Sequence, residues 1–384
     1  MWMPTQIPFN RPFITGKELD YISQAIDKRE LAADGYFTTK CSRLLEQTLS
    51  IKRVLMTPSG TAALEMAALL CDLKPGDEVI LPSFTFTSTT NAFVRDGARP
   101  VFVEIRPDTL NLDESLIEQA ITERTRAIFP VHYAGVSCEM DRILEIASKH
   151  NLLVVEDAAQ GVNSFYKQRA LGSIGDLGAY SFHHTKNFIC GEGGALCVNS
   201  TAMAERAEII REKGTNRSKF IRGEVDKYTW VDIGSSALPS EILCAFLLAQ
   251  LEMMEAITAR RRQVYEFYFN SLEPLEERGL LIRPSIPPGC VSNYHLLHIL
   301  LPTARVRNEL LAYLSRNGIQ SAFHYIPLHS SPMGQKFGYK EGDLPVTEDL
   351  SARSLRLPFF NEITEDEQVR VVNCVASFLT ESRI

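Results

Sequence analysis

Short apolar runs alternate with amphipathic stretches along the first half of the chain. Residues 53–56 (RVLM), 78–81 (EVIL), 100–105, 127–131 and 152–155 (LLVV) are apolar runs of strand length, and each predicts a buried strand. Between them, apolar residues recur at helical spacing over 62–71, 88–96, 113–122 and 141–150, which predicts helices. Upstream, Leu19, Ile22 and Ile26 predict a helix within 16–30, and a second over 40–48 follows the break at Gly35–Tyr36–Phe37. Downstream, helical spacing covers 203–213, 239–268 (as two helices or one bent one), 305–317 and 364–379, with a strand over 295–301. Residues 4–12 are punctuated by proline and read as extended. Residues 214–232 are polar, aromatic and weakly periodic, so they read as a long loop of the kind that often carries function.

The strand runs are continuous rather than alternating, as in strands covered on both faces. The expected fold class is therefore α/β: a mainly parallel central sheet covered by helices, with a smaller C-terminal α/β domain. Residues 1–250 would form a large domain with an N-terminal arm, and 251–384 a connecting helix and the small domain. In such sheets ligands bind at the carboxyl ends of the strands, so the residues just after each strand matter most.

Composition narrows the function classes. The chain has 384 residues, is 45% hydrophobic, and carries 40 basic against 47 acidic residues for a net charge of -7. That balance argues against general nucleic-acid binding, which needs a basic footprint. No apolar run reaches the roughly 18 residues of a membrane helix. The start, MWMPTQIPFNRPF, lacks the basic and apolar regions of a signal peptide. Eight cysteines occur with no CxxC pair, several in apolar contexts such as Cys197. They read as buried free thiols, and the chain as cytoplasmic.

Candidate chemistry gathers at strand ends. The run 152–155 ends on Glu156 and Asp157, and a later run, 179–182 (AYSF), leads into His183–His184–Thr185–Lys186–Asn187 and then Gly191–Glu192–Gly193–Gly194. A lysine that can condense with an aldehyde and a carboxylate that can keep a pyridine nitrogen protonated are what pyridoxal phosphate (PLP) chemistry needs. Burial and a cationic neighbour both favour the neutral amine this requires. Taken singly, a lysine after a strand is commonly a surface residue and an acid there an ordinary cap. Thr57–Pro58–Ser59–Gly60–Thr61–Ala62 lies between a strand and a helix, where free amides and the helix dipole suit a phosphate, or where a plain Ser/Thr cap would sit. Phe84 and Phe86 also follow a strand, and either could stack on a flat heterocycle or belong to the core. His183 and His184 suggest a metal, but no HxxxH or HExxH spacing supports one. A dinucleotide-binding dehydrogenase is disfavoured because no GxGxxG follows the first strand.

Longer blocks carry a resemblance: 130–135 (PVHYAG), 155–161 (VEDAAQG), 211–218 (REKGTNRS), 225–230 (VDKYTW) and 323–329 (FHYIPLH). On these the chain resembles the DegT/DnrJ/EryC family of PLP-dependent sugar aminotransferases over nearly its whole length. The likeness is strongest to the branch that converts dTDP-4-dehydro-6-deoxyglucose to dTDP-4-amino-4,6-dideoxygalactose for enterobacterial common antigen. The resemblance implies a fold-type I aminotransferase, L-glutamate as amino donor, a keto sugar nucleotide as acceptor, and a homodimer with active sites at the subunit interface. It implies that Lys186 condenses with the cofactor, Asp157 partners the pyridine nitrogen, Gln160 lies near the ring hydroxyl and Phe86 stacks on the ring. Gly60, Thr61 and Ser181 match the phosphate-binding positions. The family's dehydratase branch has histidine in place of the lysine, so Lys186 implies amino transfer. The alternatives are a different keto sugar nucleotide or a PLP-binding regulatory protein without turnover. Two departures stand out: residues 234–238 (GSSAL) lack the asparagine many members carry there for the partner's phosphate site, with Ser235 or Ser236 as its substitute, and the 187–192 loop is one residue shorter than expected.

Overall fold

The computed structural model describes residues 6–381, so the expected extended stretch 4–12 lies partly outside the described residues. Its strands, in chain order, begin with β1 Arg53–Thr57, β2 Glu78–Pro82, β3 Arg99–Val103, β4 Thr125–Ile128, β5 Leu153–Asp157 and β6 Phe165–Tyr166. They continue with β7 Arg169–Ala170, β8 Leu177–Ser181, β9 Gly194–Val198, β10 Cys290–Val291, β11 His298–Leu300 and β12 Ser354–Arg356. The helices begin with α1 Glu18–Asp27, α2 Tyr36–Leu49, α3 Gly60–Leu70, α4 Thr87–Val94, α5 Met140–His150, α6 Ala204–Arg211 and α7 Arg217–Ile221. The later ones are α8 Glu241–Leu251, α9 Met254–Ser271, α10 Glu273–Glu277, α11 Ala304–Arg316, α12 Pro332–Lys336, α13 Pro345–Arg353 and α14 Glu365–Glu381.

A seven-stranded sheet in the order β1-β9-β8-β5-β4-β2-β3 organises the first two thirds of the chain. Its side chains alternate between two apolar layers, as the two-residue strand period requires. Val54, Met56, Ile80 and Val154 join one layer with residues of α2, α5 and α8. Leu55, Val79, Leu81 and Val155 join the other with residues of α3 and α4. This double burial explains why the strands read as continuous apolar runs. A third apolar cluster gathers Val264, Tyr268, Leu297, Leu310, Val371 and Leu379, together with Ile7 from the N-terminal arm. It surrounds the small antiparallel sheet β11–β12.

The sheet is mainly parallel, with β9 running against both β1 and β8. The glycine run leads directly into β9, an interior strand of the sheet. A Cβ on Gly194 would lie 2.4 Å from the Ser59 carbonyl carbon, so only glycine lets β9 pass beside the start of α3. Other expectations also change. Residues 113–122 form two single 3-10 turns, Glu114–Leu116 and Glu118–Ala120, because the Asp113 carboxylate accepts from the Ser115 amide at 3.0 Å and holds a tight turn. Residues 239–268 form α8 and α9, bent by 61°. The 214–232 loop contains the short helix α7, and the strand expected over 295–301 is confined to β11. No single helix among the described residues is long and apolar enough to cross a membrane.

Candidate active site

Four strand ends meet along one edge of the sheet. After β1 the chain turns into α3, after β2 into α4, and β5 and β8 end at Asp157 and Ser181. A cavity of about 530 Å³ lies against this edge. Gly60, Thr61, Phe86, Asp157, Gln160, Ser181 and Lys186 all line it.

Consecutive residues of β5 face opposite ways. Glu156 is fully buried behind the cavity, where its carboxylate accepts from the Gly172, Ile174 and Gly175 amides at 2.6–2.8 Å. It also meets His132 Nε2 at 2.9 Å, while His132 Nδ1 accepts from the Cys138 amide, so the Nε2 proton points at the carboxylate. Asp157 faces the cavity. Its Oδ2 accepts from Thr89 Oγ1 at 2.7 Å and its Oδ1 from the Ala159 amide at 3.1 Å. Thr89 is itself 2.9 Å from Thr85 Oγ1, which fixes the hydroxyl that holds the acid.

Lys186 is half-buried at the cavity, and its amine makes no hydrogen bond among the described residues. Burial pushes its pKa down to about 8; Asp157 opposes that fall and Arg356 adds to it. Behind it, Asn187 Oδ1 is 2.8 Å from His295 Nδ1 and Asn187 Nδ2 donates to the Asn293 carbonyl at 2.8 Å. These contacts anchor the turn that carries the lysine. The following residues Phe188, Ile189 and Cys190 are buried, and the Cys190 amide returns to the Phe182 carbonyl at 2.9 Å.

A different wall suits an anion. Ser59 caps α3 through its hydroxyl, which accepts from the Ala62 amide at 3.0 Å. The Gly60 and Thr61 amides have no acceptor among the described residues, and they open the helix where its dipole favours negative charge. A Cβ on Gly60 would lie 2.9 Å from Ser181 Cβ, so the two residues form one close surface. Thr61 Oγ1 is 2.8 Å from Ser88 Oγ. Phe86, at the N-terminus of α4, is 61% exposed and is a ring at the cavity rather than a core residue; Phe84 is the core one. Gln160 is held at both ends, accepting from the Ala134 amide at 2.7 Å and donating to the Tyr325 hydroxyl at 3.0 Å.

These parts fit pyridoxal phosphate on their own chemistry: free helix-start amides for its phosphate, an amine without hydrogen bonds for its aldehyde, and the Asp157 carboxylate for its ring nitrogen. Sequence reasoning missed His295, Asn187, His324, Tyr325 and Arg356 as residues of this site; all but Asn187 line the cavity. The 323–329 block signalled His324 and Tyr325, but no local pattern marked Arg356. Residues 234–238 do not line this cavity. They pack against the end of α6, where a Cβ on Gly234 would lie 1.8 Å from the Gly214 nitrogen. His183 and His184 stack with ring centroids 4.1 Å apart, and His183 Nδ1 lies 2.8 Å from Thr185 Oγ1. Among the described residues no group of three His, Cys, Asp or Glu side chains is arranged to hold a metal ion.

Comparison with known proteins bears on this geometry. Residues 12–376 match the model of the DegT/DnrJ/EryC1/StrS aminotransferase family. The chain is 35% identical over 384 residues to an uncharacterised protein of Methanocaldococcus jannaschii, covering 98% of each chain. It is 30% identical to the GDP-perosamine synthase of Escherichia coli O157:H7, covering 98% of this chain and 99% of that one. Among solved structures, the PLP form of the putative sugar aminotransferase Spr1654 from Streptococcus pneumoniae superposes with a TM-score of 0.90 at 25% identity, over 98% of this chain and 99% of that one. With the match spanning nearly the whole sequence, the chain belongs to the DegT/DnrJ/EryC1/StrS aminotransferase family and is a PLP-dependent sugar aminotransferase of fold type I.

Proposed function

We propose that this enzyme transfers the amino group of L-glutamate to a keto sugar nucleotide, converting dTDP-4-dehydro-6-deoxy-D-glucose to dTDP-4-amino-4,6-dideoxy-D-galactose. The observation that carries amino transfer is the Lys186 amine, free of hydrogen bonds, in the same cavity as Asp157. The choice of sugar nucleotide is supported by the sequence blocks at 211–218, 225–230 and 323–329.

Bound pyridoxal phosphate supplies an electrophilic aldehyde and a ring that accepts electrons. Asp157, steadied by Thr89 and the Ala159 amide, keeps a proton on the ring nitrogen. The Gly60 and Thr61 amides and the Ser181 hydroxyl receive the phosphate, and the Phe86 ring covers one face. Gln160 sits by the ring hydroxyl, its position fixed from two sides. Lys186 Nζ holds the cofactor at rest. Its free amine would take the donor's α-proton and later deliver a proton to the sugar carbon that gains the amine. Glutamate leaves as 2-oxoglutarate, and the ketone leaves as an amine.

The reading extends to a cytoplasmic homodimer whose active sites lie at the subunit interface. Exposed apolar residues in and beside the 214–232 segment support it: Ile221, Ile233 and Trp230, the last 78% exposed. Eight cysteines without a disulfide are consistent with a reducing compartment. The division near residue 250 into a large and a small domain is supported by the separate apolar cluster of the C-terminal part.

Incubating the PLP-loaded enzyme with glutamate and a panel of keto sugar nucleotides tests the proposal, with products identified by NMR. The expected product carries an axial 4-amine on dTDP-6-deoxyhexose. An equatorial amine, or amination of a 3-keto or GDP-linked sugar in its place, overturns the assignment of substrate.

A further inference from the structure

Two segments that line the cavity are fastened to each other at a point outside it. One is the end of β2, where Ser83 precedes Phe84, Thr85 and Phe86; the other is the 323–329 block, which ends on His329. Ser83 and His329 are both fully buried, and neither lines the cavity. The Ser83 carbonyl accepts from the Leu328 amide at 3.0 Å, and Ser83 Oγ accepts from the His329 amide at 3.0 Å. Ser83 Oγ also lies 2.7 Å from His329 Nδ1, and His329 Nε2 lies 2.8 Å from Glu348 Oε1. Because Oγ already receives the amide proton, its own proton goes to Nδ1. The ring proton then sits on Nε2 and points at Glu348. Glu348 belongs to α13, and the same carboxylate oxygen accepts from the Gly342 amide at 2.8 Å. The start of α13 is tied to the large sheet as well: Glu104, just after β3, accepts from the Val346 amide at 3.0 Å and the Thr347 amide at 2.8 Å.

A fully satisfied buried network fixes one arrangement, because any slip strands a donor or an acceptor in the interior. An apolar contact at the same point would tolerate sliding. From Ser83 the chain runs straight into the cavity wall. Phe84 meets the Tyr325 ring edge-on with centroids 5.3 Å apart. Thr85 Oγ1 is 2.9 Å from Thr89 Oγ1, the hydroxyl that donates to Asp157. Phe86 presents its ring to the cavity. We infer that His329 is a positioning residue for the cofactor ring, an inference that rests on the placement of Phe86 and Asp157 against PLP given above. Acting through Ser83, it sets the β2 end so that the Phe86 ring and the Thr85–Thr89 pair beside Asp157 hold the ring at one angle.

Asparagine carries its polar atoms at the reach of a histidine Nδ1 and glutamine at the reach of Nε2, so two substitutions split the network. His329→Asn keeps an acceptor for Ser83 and loses Glu348; His329→Gln keeps a donor for Glu348 and loses Ser83. Visible circular dichroism of the PLP-loaded enzyme reads the angle of the ring, titration of the apoprotein reads the PLP Kd, and calorimetry reads the melting temperature. His329→Gln and Ser83→Ala are expected to lower the visible band about twofold, to raise the PLP Kd about 10-fold and to lower kcat about 10-fold with the glutamate KM little moved, as loss of one buried hydrogen bond does. His329→Asn should stay within about threefold on each measure, although its melting temperature falls as far as that of His329→Gln. Equal losses in the two His329 variants that follow melting temperature alone, or an unchanged band in Ser83→Ala, overturn the inference. Phe86→Ala and Asp157→Asn are the references. If both leave the band unchanged, the placement of the ring falls and the role of His329 with it. If both change it while Ser83→Ala and His329→Gln do not, the placement stands and the role of His329 is rejected.

Discussion

Glu156 and Asp157 are consecutive carboxylates on β5, and the strand's alternation gives them opposite surroundings. Glu156 is enclosed by three backbone amides and His132, with every nearby donor spent on it. Asp157 has two protein donors and faces a cavity that also holds an amine without hydrogen bonds. The first acid ties β5 to the 172–175 turn and to the 132–138 segment. The second is left with capacity for a ligand. The difference teaches that a buried charge is a site only when its partners stop short of satisfying it.

Substitutions can break this comparison, and the largest effect is expected across the cavity from Asp157. Lys186→Ala should lower turnover by roughly 10,000-fold or more, since it removes both the cofactor anchor and the proton carrier, with the melting temperature little changed. Stopped assays with glutamate and calorimetric melting check both halves. Asp157→Asn should cost about 100- to 1,000-fold in turnover while the fold persists, because an amide cannot hold the ring nitrogen's proton by charge. Glu156→Ala should show the reverse pattern. It strands His132 and three amides in a dry interior, at a cost of about 3–5 kcal/mol in stability, with turnover per folded molecule retained; denaturant melts and active-site titration read this. If Glu156→Ala instead spares stability and removes activity, the division of labour between the two acids is wrong.

The smallest effect concerns pH. With its pKa lowered to about 8, the Lys186 amine is mostly protonated below that value and neutral above it. Capture of PLP by the apoprotein should therefore accelerate about tenfold per pH unit up to about pH 8 and then level off. Arg356 contributes to the lowering, so Arg356→Gln should move the break to higher pH. Rapid-mixing absorbance across pH 6–10 checks the sign; a break moving downward contradicts it.

Much of this arrangement was legible in the sequence, for identifiable reasons. Strands buried on both faces leave continuous apolar runs, and the glycine and serine at 59–60 mark a helix start. Lys186 and Asp157 stand at strand ends, where such sheets bind ligands. β9 was not among the expected strands; it begins at Gly194, which the backbone of Ser59 requires to be glycine. The helix expected at 113–122 failed to a local competitor, the Asp113 side chain. Arg356 left no trace, since its neighbours Phe9 and His324 are brought to it only by the folded chain. The resemblance, not spacing, distinguished Asp157 from Glu156, and geometry supplies the physical reason.

The most direct test of the central claim is borohydride reduction of the PLP-loaded enzyme followed by peptide mass mapping. A single reduced pyridoxyl adduct on Lys186 is expected, lost when glutamate is added before the reductant. An adduct on any other lysine, or one on Lys186 that glutamate leaves intact, contradicts it.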